Sequence, residues 1–196
     1  MRTFLLGTAL VGTLFVALPA SQENGRVSDS LERPFASGGR ISMDLAAGEY
    51  RIVGGSGRIR MDWRVRRASE LRDVRARAEV GGREAFIGTD RDTDNGFEVD
   101  IQVPRRADLY IRLTAGELTI EDVEGHKDVA LHAGEINIAV GRPESYRDVE
   151  ASVWAGEVDA APYGLSKGGL FRSIAWHGQG PYRLKARLKA GEVRLY

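Results

Sequence analysis

The chain has 196 residues, no cysteine, and 28 basic against 28 acidic residues, so its formal net charge at neutral pH is zero. A balanced charge gives no electrostatic signature of a nucleic-acid partner or of a membrane surface. Without cysteine the chain has no disulfide and no thiol nucleophile, which for an exported protein favours a bacterial periplasmic or cell-surface setting.

The first twenty residues have the layout of a secretory signal. Arg2 is their only charged residue, an apolar-to-small run follows from residue 4 to residue 17, and Ala20 offers a small residue for cleavage. Leu18 departs from the pattern, because a small residue is usual there. The run is shorter than the roughly 20 apolar residues that span a bilayer. We therefore predict that residues 1–20 are a cleaved signal peptide rather than a retained anchor, and that the protein is periplasmic, surface-bound or secreted.

The next segment, residues 21–34, is polar and has no hydrophobic period, which predicts a flexible lead. From residue 35 onward apolar residues recur at every second position, as at Ile59, Met61, Trp63 and Val65. That is the period of a strand with one buried face. Residues 68–78 have a helix-favouring composition, but the alternation resumes at Val74 and predicts a turn followed by a strand. Residues 35–196 are expected to form one all-β domain.

One eight-residue pattern, centred on Ala-Gly-Glu, occurs five times, at 45–52, 113–120, 131–138, 153–160 and 188–195. The position before Ala-Gly-Glu varies freely and is therefore expected to face solvent: Ala46, Thr114, His132, Trp154 and Lys189. Glycine permits a bend or a close backbone approach, and the small alanine side chain leaves room at that bend for neighbouring coils to stack. Degenerate copies are expected at 54–59 and 176–182. The repeat predicts a single β-solenoid or β-roll of stacked short strands, with a β-sandwich as the alternative.

Over residues 41–196 the chain resembles a bacterial domain of unknown function described as a "putative adhesin" with β-strand repeats. The resemblance rests on the glycine-containing repeat units, on the run Val-Asp-Ile-Gln-Val-Pro at 99–104 leading into Ala-Asp-Leu at 107–109, and on the closing segment from Trp-His-Gly-Gln-Gly at 176–180 to Ala-Gly-Glu at 190–192. It implies a β-solenoid and an exported location, and it brings no catalytic residues.

Two basic stripes are candidates for ligand contact, because alternation places each on one face of a predicted strand. Their members are Arg183, Lys185, Arg187 and Lys189 in one, and Arg58, Arg60, Arg64 and Arg66 in the other. If the two strands are neighbours, the face would suit an anionic polysaccharide, an envelope lipid or an acidic protein surface. The alternative is a solubilising face. Together with the outward Trp154 and His132, the first stripe forms the predicted ligand-contact face.

Catalytic and metal-binding signals are weak. The glutamates of the five repeats could align into a carboxylate ladder for a divalent cation, although surface glutamates are the simpler interpretation. His126, His132 and His177 lack metal-ligand spacing, and neither a Gly-x-Ser-x-Gly turn nor a phosphate loop is present. The acidic cluster at 90–94 is interpreted as part of a turn at Asp-Asn-Gly, 94–96.

The sequence therefore predicts no catalytic residue, no cofactor, no metal and no nucleic-acid partner. We expect a non-enzymatic, adhesin-like binding or scaffold module of the cell envelope, with contacts repeated along the stack adding up through multivalency. Two alternatives remain open: a polysaccharide-active β-helix enzyme, and a purely structural assembly protein. The latter would associate through the uncapped strand at residues 192–196.

Overall fold

The computed structural model describes residues 22–23, 26–91 and 96–196. These residues form thirteen strands and three short 3₁₀ turns, at Ala68–Asp73, Pro143–Ser145 and Ala161–Tyr163, and no α-helix. The strands are β1 (Gln22–Glu23), β2 (Arg26–Pro34), β3 (Gly39–Leu45), β4 (Gly48–Gly55), β5 (Arg58–Val65), β6 (Val74–Gly81), β7 (Glu84–Arg91), β8 (Glu98–Pro104), β9 (Ala107–Glu121), β10 (Lys127–Ile138), β11 (Tyr146–Ala160), β12 (Leu165–His177) and β13 (Tyr182–Leu195). None of the described residues belongs to a helix that could cross a bilayer.

All the strands join one open sheet, so the all-β prediction is confirmed. The finer choice between a solenoid or roll and a sandwich stays a prediction. The turn predicted after residue 68 and the strand after Val74 are both present. The signal peptide and most of the predicted turn at 94–96 lie outside the described residues.

The repeats define the shape of the sheet. Strands β9, β10, β13 and β11 each contain one whole copy and pair in parallel, with their Ala-Gly-Glu segments in register, while β3 and β4 carry the first copy. Leu113 and Leu118 are both buried although they are an odd number of residues apart. The strand must therefore turn a corner at Ala-Gly, so that the part before it (the first arm) and the part after it (the second arm) face one core.

Glycine is required at this corner. The backbone φ angles of Gly116, Gly134, Gly156 and Gly191 lie between +118° and +137°, and a Cβ on Gly134 would lie 1.8 Å from the carbonyl oxygen of Gly116. The left-handed φ and the close approach of the adjacent strand both exclude a side chain. The predicted role of the repeat glycine is confirmed.

The order of strands in the sheet differs from their order in the chain. Across the repeats the order is β9, β10, β13, β11, β12, so the C-terminal strand β13 is hydrogen-bonded on both sides. The predicted self-association through residues 192–196 is therefore wrong, because that strand has no free edge. The edge at this end of the sheet is β12, which pairs only with β11.

The N-terminal segment also differs from its prediction. Residues 27–34 of β2 pair antiparallel with β5, where a flexible lead was expected. Leu31 packs against the core from this strand. Among residues 28–34, whose side chains are described, Leu31 is the one that packs against the core, so this strand shows no hydrophobic period.

Candidate functional site

An open groove of about 700 Å³ lies on the outer face of the first arm. Its walls are formed by side chains of β3, β9, β10, β11 and β13 and of the turn before β10, among them Arg40, Tyr110, His126, Asp128, Arg183 and Lys185. Alternation along each strand sends every second residue outward, and the parallel register repeats this on each neighbour. We call this feature the outer groove.

The predicted basic stripe of β13 enters this groove, but its charges are paired. Arg183 Nε lies 3.2 Å from Asp148 Oδ2, and Lys185 Nζ lies 3.0 Å from Glu150 Oε2. Both carboxylates belong to β11, whose outward residues stand beside those of β13 at the strand spacing of about 4.8 Å. The face therefore carries alternating positive and negative charges rather than a basic stripe.

Arg187 extends this pattern of paired charges to the strand on the other side of β13. Its guanidinium contacts Asp128 on β10, and Arg112 Nη1 on β9 lies 3.2 Å from Oδ1 of the same carboxylate. One aspartate thus bridges two arginines from strands on either side of it. The arrangement links side chains of three parallel strands on their outer face.

Asp148 is the most heavily paired acid at the rim of the groove. Its carboxylate contacts His177 Nδ1 at 3.1 Å, Arg183 at 3.2 Å and Arg147 Nε at 3.5 Å. The hydrogen bond from His177 and the charges of the two arginines hold the pKa of Asp148 below its ordinary value. The carboxylate therefore stays ionised to a lower pH than an ordinary aspartate.

Aromatic and imidazole groups complete the walls. The Arg40 guanidinium lies 5.1 Å from the centre of the Tyr110 ring. His126 Nδ1 accepts the backbone N–H of Arg183 at 3.0 Å, and its ring meets Tyr182 edge-on with centroids 5.9 Å apart. Since Nδ1 accepts, the neutral imidazole carries its proton on Nε2.

Lys127, beneath the groove, was not singled out by the sequence patterns. It is only 2% exposed and occupies an inward position between Leu109 and Leu184. Burial lowers its pKa to about 8, against the opposing effect of Glu124 and Asp108. The available signal was alternation, since Lys127 is in phase with the apolar Val129 and Leu131 of the same strand.

The remaining predicted contact residues lie apart from the groove. His132, Lys189 and Trp154 are exposed at the corner of adjacent strands, so the prediction that this variable position faces solvent holds for them. The structure thus divides the predicted face in two. Arg183, Lys185 and the adjoining Arg187 belong to the groove region, and the corner residues form a separate row.

The second basic stripe does not join the first. Strand β5 is separated from β13 by β8, β4, β9 and β10, so the expected shared basic face is absent. Its arginines are also paired: Arg60 Nε lies 2.7 Å from Asp62, and Arg58 Nη1 lies 2.8 Å from Glu32. These residues form a solvated surface at the far end of the sheet.

The repeat glutamates align as the sequence suggested. Glu49, Glu117, Glu135, Glu192 and Glu157 occupy one in-register row across β4, β9, β10, β13 and β11. Glu192 contacts Arg194, and Glu117 accepts a hydrogen bond from Asn137 at 3.3 Å. Within the described residues, no group of three or more His, Asp or Glu is placed to hold a metal ion.

Comparison with known proteins relates the chain to other proteins by fold alone. No protein-family model matches the sequence, and no curated protein matches it either. A crystal structure from Clostridium sporogenes, named a "putative cell adhesion protein", has 10% identity and a TM-score of 0.56 over 86% of this chain and 98% of its own. The chain therefore has the fold of that protein.

Two further crystal structures are more weakly similar to this chain. A "putative adhesin" from Parabacteroides merdae has 9% identity and a TM-score of 0.35, over 57% of this chain and 52% of its own. Another from Bacteroides fragilis has 8% identity and a TM-score of 0.28, over 86% and 97%. The assignment to one particular adhesin-like domain family stays a prediction.

Proposed function

We propose that this protein is an exported, non-enzymatic, adhesin-like binding module of the bacterial cell envelope, and that its outer groove holds an anionic polysaccharide. The observation that carries the proposal is the groove itself. It is an open depression in which Arg40, Arg183 and Lys185 remain 45–62% exposed at their side chains, beside the Tyr110 ring. The fold shared with a protein named for cell adhesion supports the same class of function.

Paired surface charges suit a polymer that carries hydroxyl and carboxylate groups. An exposed ion pair contributes only about 0–1 kcal/mol, so a ligand carboxylate can replace Asp148 or Glu150 beside its cation at little cost. Sugar hydroxyls both donate and accept hydrogen bonds, which matches alternating cations and carboxylates. The Tyr110 ring offers a flat apolar surface for a sugar face.

Rigidity and repetition favour a long ligand over a small one. The groove spans five parallel strands in register, so its groups are ordered before binding and little side-chain entropy is lost. Each contact is weak, but successive contacts on one polymer act at high effective concentration. An envelope location follows from the predicted signal peptide and agrees with this ligand class.

The experiment compares polysaccharide binding by matched variants of the chain beginning at Ser21. A glycan array of anionic and neutral polysaccharides identifies the ligand, and titration measures Kd. Arg183→Gln/Lys185→Gln should weaken binding at least ~10-fold, since each charge-assisted hydrogen bond contributes about 1.5 kcal/mol or more. Asp148→Asn/Glu150→Gln, which frees the same cations, should preserve or strengthen it.

Arg58→Gln/Arg60→Gln on the distant β5 is the matched control and should bind like the wild type. Failure of the unaltered protein to bind any polysaccharide would overturn the proposal, as would equal affinity of the groove variants and the control. Release of shortened oligosaccharides from a bound polymer would replace the non-enzymatic assignment by the polysaccharide-active alternative.

A further inference from the structure

Three large apolar side chains lie exposed together where β12 ends the sheet. Trp154 is 58% exposed, Leu170 61% and Phe171 72%. Elsewhere in the described chain, Val80 and Tyr196 are the exposed large apolar residues, at 39% and 46%. We call Trp154, Leu170 and Phe171 the edge patch. Neighbouring exposed apolar groups at a sheet edge mark interaction surfaces.

The backbone conformation of β12 directs the aromatic side chain of the patch toward solvent. The Phe171 ring meets Trp154 edge-on, with centroids 5.7 Å apart and planes at 79°. Phe171 has a φ of +52°, a left-handed conformation that bulky residues rarely adopt, and Gly169 two residues earlier has a φ of +119°. Local strain retained at an exposed aromatic residue points to a function for that residue.

Three cations lie close to the patch along the chain or in the sheet, and none has an acidic partner among the described residues: Lys167 and Arg172 on β12, and Lys189 beside Trp154. Lys167 Nζ donates to the carbonyl of Ser173 at 3.0 Å, and Arg172 Nε donates to that of Gly168 at 2.9 Å. Neither residue, nor Lys189 next to Trp154 in the corner row, forms an ion pair with any described carboxylate. This contrasts with Arg183, Lys185 and Arg187, each of which has one.

The edge itself is poorly suited to another β-strand. Lys167 and Arg172 are in register with the buried Val158 and Val153, so they occupy the inward positions of an edge strand. Inward-pointing charges on an edge strand block the addition of another strand. In an antiparallel pair with a second copy centred on Gly169 and Leu170, each Lys167 would oppose an Arg172, which repels.

We propose that the edge patch docks this protein onto an anionic lipid bilayer. The aromatic and leucine side chains enter the interfacial region, and Lys167, Arg172 and Lys189 contact lipid phosphates. Aromatic rings favour the water–lipid interface, and the flexible stems of lysine and arginine let their charged ends reach it. The site is separate from the outer groove, so this inference goes beyond the proposed function and does not depend on it.

Binding to lipid vesicles tests the proposal on the chain beginning at Ser21. We expect co-sedimentation with mixed phosphatidylglycerol–phosphatidylcholine vesicles and much weaker binding to phosphatidylcholine alone. Leu170→Ser/Phe171→Ser should abolish it. Lys167→Gln/Arg172→Gln should reduce vesicle affinity about 20-fold or more, because each basic residue near an anionic surface contributes about 1 kcal/mol. Val80→Ser on β6 is the apolar control and should leave it unchanged.

Two further measurements locate the contact. Brominated lipid tails should quench the exposed Trp154, whereas Trp63 is buried in the core and Trp176 packs partly against it. The quenched component should therefore be lost in Trp154→Phe. Glu157→Gln should strengthen binding to anionic vesicles, because Glu157 is the acid in register with Gly168 beside the patch.

Several outcomes would overturn the proposal. They are absence of vesicle binding, equal affinity for neutral and anionic vesicles, or binding that the edge-patch variants leave intact. Dissociation of a homodimer by Phe171→Ser would assign the patch to a second copy instead. Polysaccharide titration of the same variants keeps the two proposals separate, because edge-patch substitutions leave the outer groove unchanged.

Discussion

The ammonium group of Lys127 donates a 2.6 Å hydrogen bond to the hydroxyl of Tyr146 inside the apolar core. It also donates to the carbonyl of Val123 at 2.7 Å and lies 5.2 Å from the centre of the Tyr146 ring. Buried polar groups need partners, and this ammonium has one hydroxyl and one carbonyl at close range. The lysine thereby ties the turn before β10 to the start of β11.

This buried lysine makes stability depend on pH in a definite direction. Its folded pKa is about 8, while an unfolded lysine has a pKa of about 10.4. Between these values the unfolded state binds more protons, so the free energy of unfolding rises with pH, by about 2 kcal/mol from pH 7 to pH 9.5. Below pH 7 this group contributes no slope, since it is protonated in both states.

Lys127→Met should remove that rise. Urea unfolding of both proteins at pH 7 and pH 9.5, followed by tryptophan fluorescence, measures the difference between their slopes. The window stops at pH 9.5 because burial raises the pKa of Tyr146, which lowers stability once the unfolded tyrosine ionises above about pH 10. Lys185→Met, at an exposed lysine, should keep the wild-type slope. Equal slopes for the wild type and Lys127→Met would contradict the prediction.

The corner glycines allow a sharper test of stability. Gly134→Ala places a Cβ 1.8 Å from a neighbouring carbonyl oxygen at a φ of +127°. The clash is with backbone on the adjacent strand, so it cannot be relieved by rotating a side chain. We expect at least about 3 kcal/mol of destabilisation, measured by urea unfolding.

Gly168→Ala is the matched control, because a Cβ there meets no atom within 4 Å. It should change the free energy of unfolding by no more than about 0.5 kcal/mol. If both substitutions were tolerated equally, the close approach of the corner backbones would not govern stability.

A buried hydroxyl pair at the first corner gives a third prediction. Tyr50 Oη and Thr89 Oγ1 lie 2.7 Å apart, and Thr89 Oγ1 also accepts the backbone N–H of Ala46 at 3.0 Å. Thr89→Val leaves the tyrosine hydroxyl without this partner, at a cost of about 1–3 kcal/mol, and Tyr50→Phe should cost about 1 kcal/mol. Thermal unfolding of both single variants and the double variant should show a coupling of about 1 kcal/mol. Additive losses would mean that the pair does not act as a unit.

Much of this fold was predictable because its determinants are local. Alternation identified the strands, and the corner glycines identified where the long strands bend. The order of the strands was not predictable, since β13 enters between β10 and β11 through pairings that no spacing in the chain specifies. That insertion determines the partners of Arg183, Lys185 and Arg187, and so turns a predicted basic stripe into a charge-balanced groove.

The edge patch shows a second feature that sequence patterns did not predict. Trp154 was predicted to face outward, yet Leu170 and Phe171 look like core residues in the sequence. They are exposed because β12 pairs only with β11 and no further strand covers its other side, a fact set by the strand order of the whole sheet. Sequence patterns identify which residues alternate, whereas the position of a strand within the sheet decides which faces are covered.

The predicted N-terminal signal peptide implies a specific processed product. When the full chain is expressed in a bacterium, the exported fraction should begin at Ser21, as determined by N-terminal sequencing or intact mass. Ala20→Leu should block cleavage, because signal peptidase requires a small residue immediately before the cut. Leu18→Ala should speed it, since Leu18 occupies a position where small residues are usual. A full-length product that stays in the membrane fraction would support the retained-anchor alternative, and a full-length product in the cytosol would contradict export.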